Sequence, residues 1–447
     1  MKAYDLIVIG AGPGGIPAAI AAARNGKKVL LVERENFLGG MLSSGVPIIG
    51  FLDRQGNHVV KGIAEEIITR LKQRNATSGH VRVPVHNSLT MMHASWTRLI
   101  LAEMCLEAGV ECMLSTQLSE VIHKNGEILG VKVVCRNQTF EFASNIVIDA
   151  TGDGWVAALA GVPFEKGEKL QPPTLTFEVS GVDMDKFYAY IKAHPETYRL
   201  PTTFTDVMQS EDMYRDDCVF SFMGFYELVE EARKNGDFNI PRNMIDFCRF
   251  PNSDRAFLNV TRAINADVTV PESLIKAELE CEMQIIELMD FLHKYAPGFE
   301  NCRLEAIAPF LGTRESRRII CKKTLTADSL KNLDIPNDTI ALAGYNVDIH
   351  GQDSGSMTYI PISHAIGIPY DCIIPKGIEG LIASGRTISV DQTVFAMTRV
   401  MATCMAVSQA AGTAACIAID KNIKPSQVDV KELQKVLLED GCVLSLN

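Results

Sequence analysis

Three sets of residues in this chain have types and spacings that could do chemistry. The first is the run Gly10-Ala11-Gly12-Pro13-Gly14-Gly15, in which Gly10, Gly12 and Gly15 take the positions of a G-x-G-x-x-G turn. Bare backbone there can approach a pyrophosphate at a helix N-terminus, and Glu33, beyond the next apolar run, is placed to accept hydrogen bonds from an adenosine ribose. The second is Arg314, Arg317 and Arg318, with Glu315 and Ser316 between them, the densest basic cluster of an acidic chain. Arginine forks suit carboxylates and phosphates, so the cluster reads as an anion clamp, as a brace on a bound nucleotide, or as a surface helix start with a local Arg–Glu pair. The third is Asp348-Ile349-His350, followed by Gly-Gln-Asp-Ser-Gly-Ser. An imidazole ahead of a flexible glycine and serine loop is what a proton donor beneath a closing segment needs.

The elements that must hold these groups are legible around the first set. Leu6–Ile9 is a buried strand, an alanine-rich helix follows the glycines, and residues 28–32 form a second strand ending at Glu33. This complete strand, turn, helix, strand, acid order is more specific than a glycine turn alone. Residues 145–154, NIVIDATGDG, form another apolar strand that ends in small residues and again allows close backbone approach.

Gly39-Gly40, shortly after Glu33, is unlike a nicotinamide dehydrogenase. Together with Met41, with Ala150-Thr151-Gly152-Asp153-Gly154 and with the first turn, it resembles FAD-binding oxidoreductases of the glutathione-reductase structural class. More narrowly the chain resembles an FAD-dependent oxidoreductase family related to the flavin subunits of heterodisulfide reductase and, distantly, to fumarate reductase. Further carriers of the likeness are LGTRESRR from Leu311, the Asp348 to His350 segment, ASGRTISVDQ, and TRVMATCMAVSQAAGTAA. The resemblance implies an α/β fold, with a Rossmann-like three-layer FAD-binding domain on a parallel sheet and a second α+β substrate domain. It places Gly10, Gly12, Pro13, Gly14, Gly15, Glu33, Arg34, Gly39, Gly40, Met41, Ala150, Thr151, Gly152, Gly385 and Arg386 around FAD, with Gln117 and Leu118 beside the adenine. Met401, Ala402 and Thr403 would open a helix whose positive end faces the flavin ring. His350 becomes the leading acid/base, with Arg314, Arg399, Tyr345 and Tyr359 as further candidates. No His or Cys lies in GGMLSSG, so the FAD is expected to be non-covalent.

From Leu175 apolar and polar residues alternate as in a half-buried strand, so the chain divides into an FAD-binding part over 1–174, a substrate domain over 175–343, and a C-terminal FAD-binding part over 344–447. Residues 95–108 form a predicted helix, 111–122 is a predicted strand, and 130–135 with 139–142 a hairpin. Ile275, Leu279, Met283 and Ile286 recur at helical spacing and read as the inward stripe, with Glu278, Glu280, Glu282 and Glu287 facing water. Residues 400–419 carry no charge over the length of a membrane span, but Ala, Thr, Ser and Gly dominate, which suits a helix buried in protein.

A net charge of −11 argues against nucleic acid or anionic membrane as partner. The twelve cysteines contain no Cys-x-x-Cys, which argues against an iron–sulfur or zinc site; Cys404 alone sits where a helix N-terminus could activate a thiol. The N-terminal apolar stretch is too short for a leader, and a cytoplasmic protein is expected. There is no second G-x-G-x-x-G for a nicotinamide domain. The expected activity is hydride exchange between flavin N5 and a small substrate, anionic where the arginine cluster is its clamp, held between the two domains. The alternative is a flavin electron-transfer subunit working with a redox partner protein; homo-oligomerisation is also open.

Overall fold

The computed structural model describes residues 1–83, 86–198, 214–352, 355 and 357–446. At its centre the apolar tetrapeptides Leu6–Ile9 and Val29–Val32, buried at every position, pair in parallel. Val147–Asp149 and Leu381–Ala383 extend the sheet on one side and Glu111–Met113 on the other, all in parallel. Strands covered on both faces must be apolar throughout, which is why these segments show no alternation. Helices Ile16–Arg24 and Met401–Lys421 pack together on one face, where the Ala18 N–H donates to Ser408 Oγ at 3.0 Å. On the other face lies the antiparallel layer of Thr116–Lys124, Glu127–Cys135 and Gln138–Ala143, whose Val121, Val131 and Val133 share a core with Ile7, Ile9 and Leu30. The result is the expected three-layer α/β arrangement.

A strand expected over 111–122 is in fact two. Ser115 adopts a left-handed φ of 51°, which ends Glu111–Met113 in the parallel sheet and starts Thr116–Lys124 in the other layer.

The second unit is a five-stranded antiparallel sheet ordered Phe220–Gly224, Ile245–Arg249, Ala256–Leu258, Phe177–Ser180, Arg303–Ile307. Its core clusters Phe177, Phe187, Phe222, Phe247 and Phe299 under the helix Pro271–Tyr295. Two expectations fail here. Ile275, Leu279, Met283 and Ile286 are not the inward stripe; they are 56–59% exposed, and Ala277, Cys281, Ile285 and Leu288 face the core instead. The helix carries apolar residues on two faces, and the one with the smaller side chains near its start fits closest to the sheet. Secondly, the chain rejoins the first unit well before 344: Arg318–Ile319 pairs with Phe164–Glu165, and Cys321 bridges to Pro375. That crossing has no apolar periodicity to announce it. The hairpin of Val347–His350 and Met357–Ile360 then leans back against the second unit through Arg262 and Arg242.

Helix Met401–Lys421 is long and apolar enough to cross a membrane by length and composition, but 89% of its most apolar window is buried inside the protein.

Candidate functional site

A continuous cavity of about 470 Å³ runs from the glycine turn at the end of Leu6–Ile9 to the mouth of the second sheet. At one end the parallel strands deliver backbone. Gly15 must be glycine, because a Cβ there would sit 1.8 Å from Gly10 O; Gly12 is glycine for the opposite reason, since a Cβ would meet nothing within 4 Å and would project into open space. That opening is the cradle a diphosphate needs at the N-terminus of Ile16–Arg24. Glu33 closes the adenosine side: its carboxylate accepts from Ala11 N–H at 2.6 Å and from Glu35 N–H at 2.9 Å, while burial pushes its pKa up against those two bonds. The turn after Val147–Asp149 is tied by Asp149, which accepts from the Thr151 hydroxyl at 2.7 Å and from Ala157 N–H at 3.0 Å. Ser384 donates to Gly14 O at 2.6 Å and Arg386 to Asp153 at 2.8 Å, locking the third glycine turn onto the first two.

The cavity wall includes Gly10, Gly12, Pro13, Gly14, Glu33, Arg34, Gly40, Met41, Gln117, Leu118, Ala150, Thr151, Gly152, Gly385, Arg386 and Met401. Gly15 and Gly39 lie behind it, shaping the turns, and Ala402 and Thr403 face inward from the helix, leaving Val400, Met401 and Cys404 to present its start. These surfaces fit FAD: an open diphosphate cradle, a ribose carboxylate, and a helix N-terminus further along the same cavity.

At the other end the lining changes to ionisable side chains: Arg314, Asp348, His350, Tyr359, Arg399, Asp246 and His86. Arg314 donates to Pro172 O at 2.6 Å and to Asn259 Oδ1 at 3.1 Å. Burial, with Arg399, Arg242 and Arg262 nearby, brings its pKa down to about 9. Arg399 reaches the Asp348 carboxylate at 3.3 Å. His350 Nε2 lies 3.4 Å from Asp348 Oδ2 and its Nδ1 3.3 Å from Arg262 Nη2. A guanidinium can only donate, so Nδ1 accepts and the ring proton sits on Nε2 toward Asp348. Burial, reinforced by Arg314 and Arg399, holds this imidazole neutral, well below its usual range. Burial alone would raise Asp348; His350 and Arg399 outweigh it and keep the carboxyl ionised. Asp246 goes the other way, pushed up to about 6 by burial against Arg242 and Arg314.

The arginine cluster thus divides. Only Arg314 lines the cavity; Arg317 holds Asp153 O at 3.0 Å and covers the Trp155 ring, and Arg318 pairs with Glu315 at 2.7 Å. All three are buried and none starts a surface helix, because Arg314 and Arg317 fall in the irregular crossing between the two units and Arg318 opens the short strand that ends it. Tyr345 does not reach the wall but is linked to it: its hydroxyl is 2.7 Å from Nδ1 of His86, which does. Cys404 is no activated thiol, since burial pushes it up to about 12. Of the loop after His350, Asp353, Ser354 and Ser356 lie outside the described residues. His86, Asp246 and Arg242 were not anticipated; none belongs to a motif, and only the tertiary fold brings them together.

Residues 5–437 match the family of FAD dependent oxidoreductases. Digeranylgeranylglycerophospholipid reductase 1 of Methanococcoides burtonii is 27% identical over 212 residues, 44% of this chain and 50% of that protein. Thiamine thiazole synthase of Aeropyrum pernix is 33% identical over 132 residues, 29% of this chain and 43% of that enzyme. The chain spans half or less of the length of these curated relatives. Among solved structures, a geranylgeranyl bacteriochlorophyll reductase-like protein of Thermoplasma acidophilum shares the fold, with a TM-score of 0.50 at 14% identity over 98% of this chain and 84% of that one. With the glycine cradle in place and the family match running over nearly its whole length, the chain belongs to the FAD-dependent oxidoreductases and takes FAD as its cofactor.

Proposed function

We propose that this enzyme exchanges a hydride between its flavin and a small anionic organic substrate held between the two units. The observation that carries this reading is the convergence of Arg314 and Arg399 on one cavity, backed by Arg242, with Asp246 and Asp348 as the carboxyls that face them among the described residues. Three guanidiniums, those of Arg242, Arg314 and Arg399, face two carboxyls, one of them pushed up to about 6, and among the described residues this leaves positive charge that a substrate carboxylate or phosphate would balance. Bound FAD supplies the hydride acceptor or donor at N5. The protein's own part is to orient the anion on Arg314 and Arg399 and to move a proton at His350. Because that imidazole is neutral, it acts as a base at Nδ1 once the substrate anion draws the Arg262 guanidinium off that nitrogen, with Asp348 holding Nε2–H and steadying the ring once it is charged. The reverse direction uses the same groups. FAD is held non-covalently, by the turns around Gly12, Gly40 and Gly385. Cysteines kept as buried thiols, such as Cys105, Cys281 and Cys372, suit a cytoplasmic location, and no nucleic acid or membrane partner is part of this reading.

The test is anaerobic screening of small carboxylates and phosphates, each beside a neutral isostere, for bleaching or reoxidation of the bound flavin. An anion should react and its neutral isostere should not. His350→Ala should keep FAD and lose on the order of 10²–10⁴-fold in turnover. The parent's turnover should stay level from pH 6.5 to about 8, since a neutral base has no proton left to lose there, and fall toward 9 as Arg314 loses its charge. If no anion reacts but a redox protein exchanges electrons with the flavin, the electron-transfer alternative replaces this proposal.

A further inference from the structure

Away from the flavin cavity, three side chains from separate pieces of the 46–93 segment meet at one point. His58 lies beyond the turn that bridges back to Leu52, Glu65 sits in the first turn of helix Ile63–Lys72, and His80 directly precedes strand Val81–Val83. Glu65 Oε2 is 2.7 Å from His80 Nε2 and 3.3 Å from His58 Nε2, and the three ligand atoms all fall within 4.8 Å of one another. From this geometry we infer a binding site for a divalent transition cation of the zinc class, held by His58 Nε2, His80 Nε2 and a Glu65 oxygen with a fourth position open to water.

The surroundings are those of a built site. His80 Nδ1 lies 2.7 Å from Thr90 Oγ1, the outer hydrogen bond that turns the opposite nitrogen toward a metal. Phe51 packs on His80 at 4.2 Å between ring centroids, tilted by 30°, and restrains the imidazole. His58 Nε2 is buried and makes no hydrogen bond among the described residues, although it points into the cluster. A cation would satisfy it. Zinc bonds of about 2.0–2.2 Å in a tetrahedral shell separate ligand atoms by roughly 3.3 Å, the distance already present between His58 and Glu65; the His80 pair needs to open by about half an ångström. The side chains are 9–26% exposed, so an ion can enter without unfolding. Two imidazoles and one carboxylate favour zinc, cobalt or nickel over hard magnesium or calcium. Bound there, the ion clips loop, helix and strand of the segment that supplies Ile49 and His86 to the cavity wall.

The holoprotein, stripped with chelator and dialysed, should bind one equivalent of ZnCl₂ by calorimetry, melt at a higher temperature with it, and ignore MgCl₂. CoCl₂ should give tetrahedral bands to the red of the flavin absorption. His58→Ala and Glu65→Gln should each weaken zinc binding by at least on the order of 10–100-fold while retaining flavin, and His93→Ala should not. Absence of stoichiometric zinc binding by the parent, or unchanged affinity in both cluster variants, overturns the site and leaves a carboxylate shared by two imidazoles. Glu65→Gln, which removes a charge but little volume, keeps the test decisive should His58→Ala fail to fold.

Discussion

The two ends of the cavity are built on different principles. The nucleotide end is made of backbone: three glycine turns at the ends of adjacent parallel strands, tied by Ser384 to Gly14 and Arg386 to Asp153. Beyond it, the substrate end is made of side chains from positions as far apart as 86, 246, 262, 314, 350 and 399. Backbone sites tolerate neighbouring change and fail only when space is filled. Side-chain sites fail one charge at a time, because each buried guanidinium or carboxyl depends on its neighbours.

The sharpest way to separate them is Gly12→Val. A side chain there meets no protein atom, so the fold should survive, yet it enters the diphosphate cradle. Flavin retention, read from absorbance after desalting, should be lost almost entirely, while Gly15→Ala should fail to fold because its Cβ collides with Gly10 O. A Gly12→Val protein that stays yellow would show that the two ends are not distinct in this sense. Next in size, Arg314→Met should leave flavin content unchanged and raise the KM for the anionic substrate on the order of 10²-fold, from about 2–5 kcal/mol for a truncated buried charge contact. Arg314→Lys should recover little, because a single ammonium cannot replace the fork that spans Pro172 O and Asn259 Oδ1.

The same contrast explains how much could be read in advance. The nucleotide end is local in sequence: Leu6–Ile9, the glycines and Glu33 follow within one βαβ unit, so period and turn chemistry suffice. At the substrate end Arg314 and His350 stood out by composition, but His86 and Asp246 carry no local mark, and it is contact with Tyr345 and Arg242 that gives them a role. The helix Pro271–Tyr295 shows the limit of periodicity: it has two apolar faces, and the sequence does not say which one meets the sheet. The early return of the chain at Arg318–Ile319 was hidden for a related reason, since a two-residue pairing has no period.

Charge at the substrate end should also appear as a pH effect on stability. Asp246 carries a carboxyl pushed up to about 6 in the folded protein, above its unfolded value of 3.8. Between those values the unfolded chain has released its proton and the native one has kept it, so stability falls as pH rises and the cost stands in full above about 6. Asp246→Asn should therefore melt higher than the parent at pH 7, by up to about 3 kcal/mol, and equal it near pH 4. A constant offset at both values would mean that Asp246 does not titrate in this window.

The smallest effect is expected at Tyr345, and it tests whether the substrate end has a depth to it. Tyr345 is fully buried and off the cavity wall, and among the described residues its hydroxyl reaches only His86, whose ring is itself held neutral by burial. If Tyr345 positions His86 and does nothing more, Tyr345→Phe removes one neutral hydrogen bond, worth about 1 kcal/mol, and turnover should fall by less than about tenfold with flavin content and KM unchanged. His86→Ala, which opens the wall itself, should cost more. A loss of a thousandfold or greater in Tyr345→Phe would instead place a proton on the Tyr345 hydroxyl in the reaction, with His86 as its relay, and would shift the acid/base assignment away from His350.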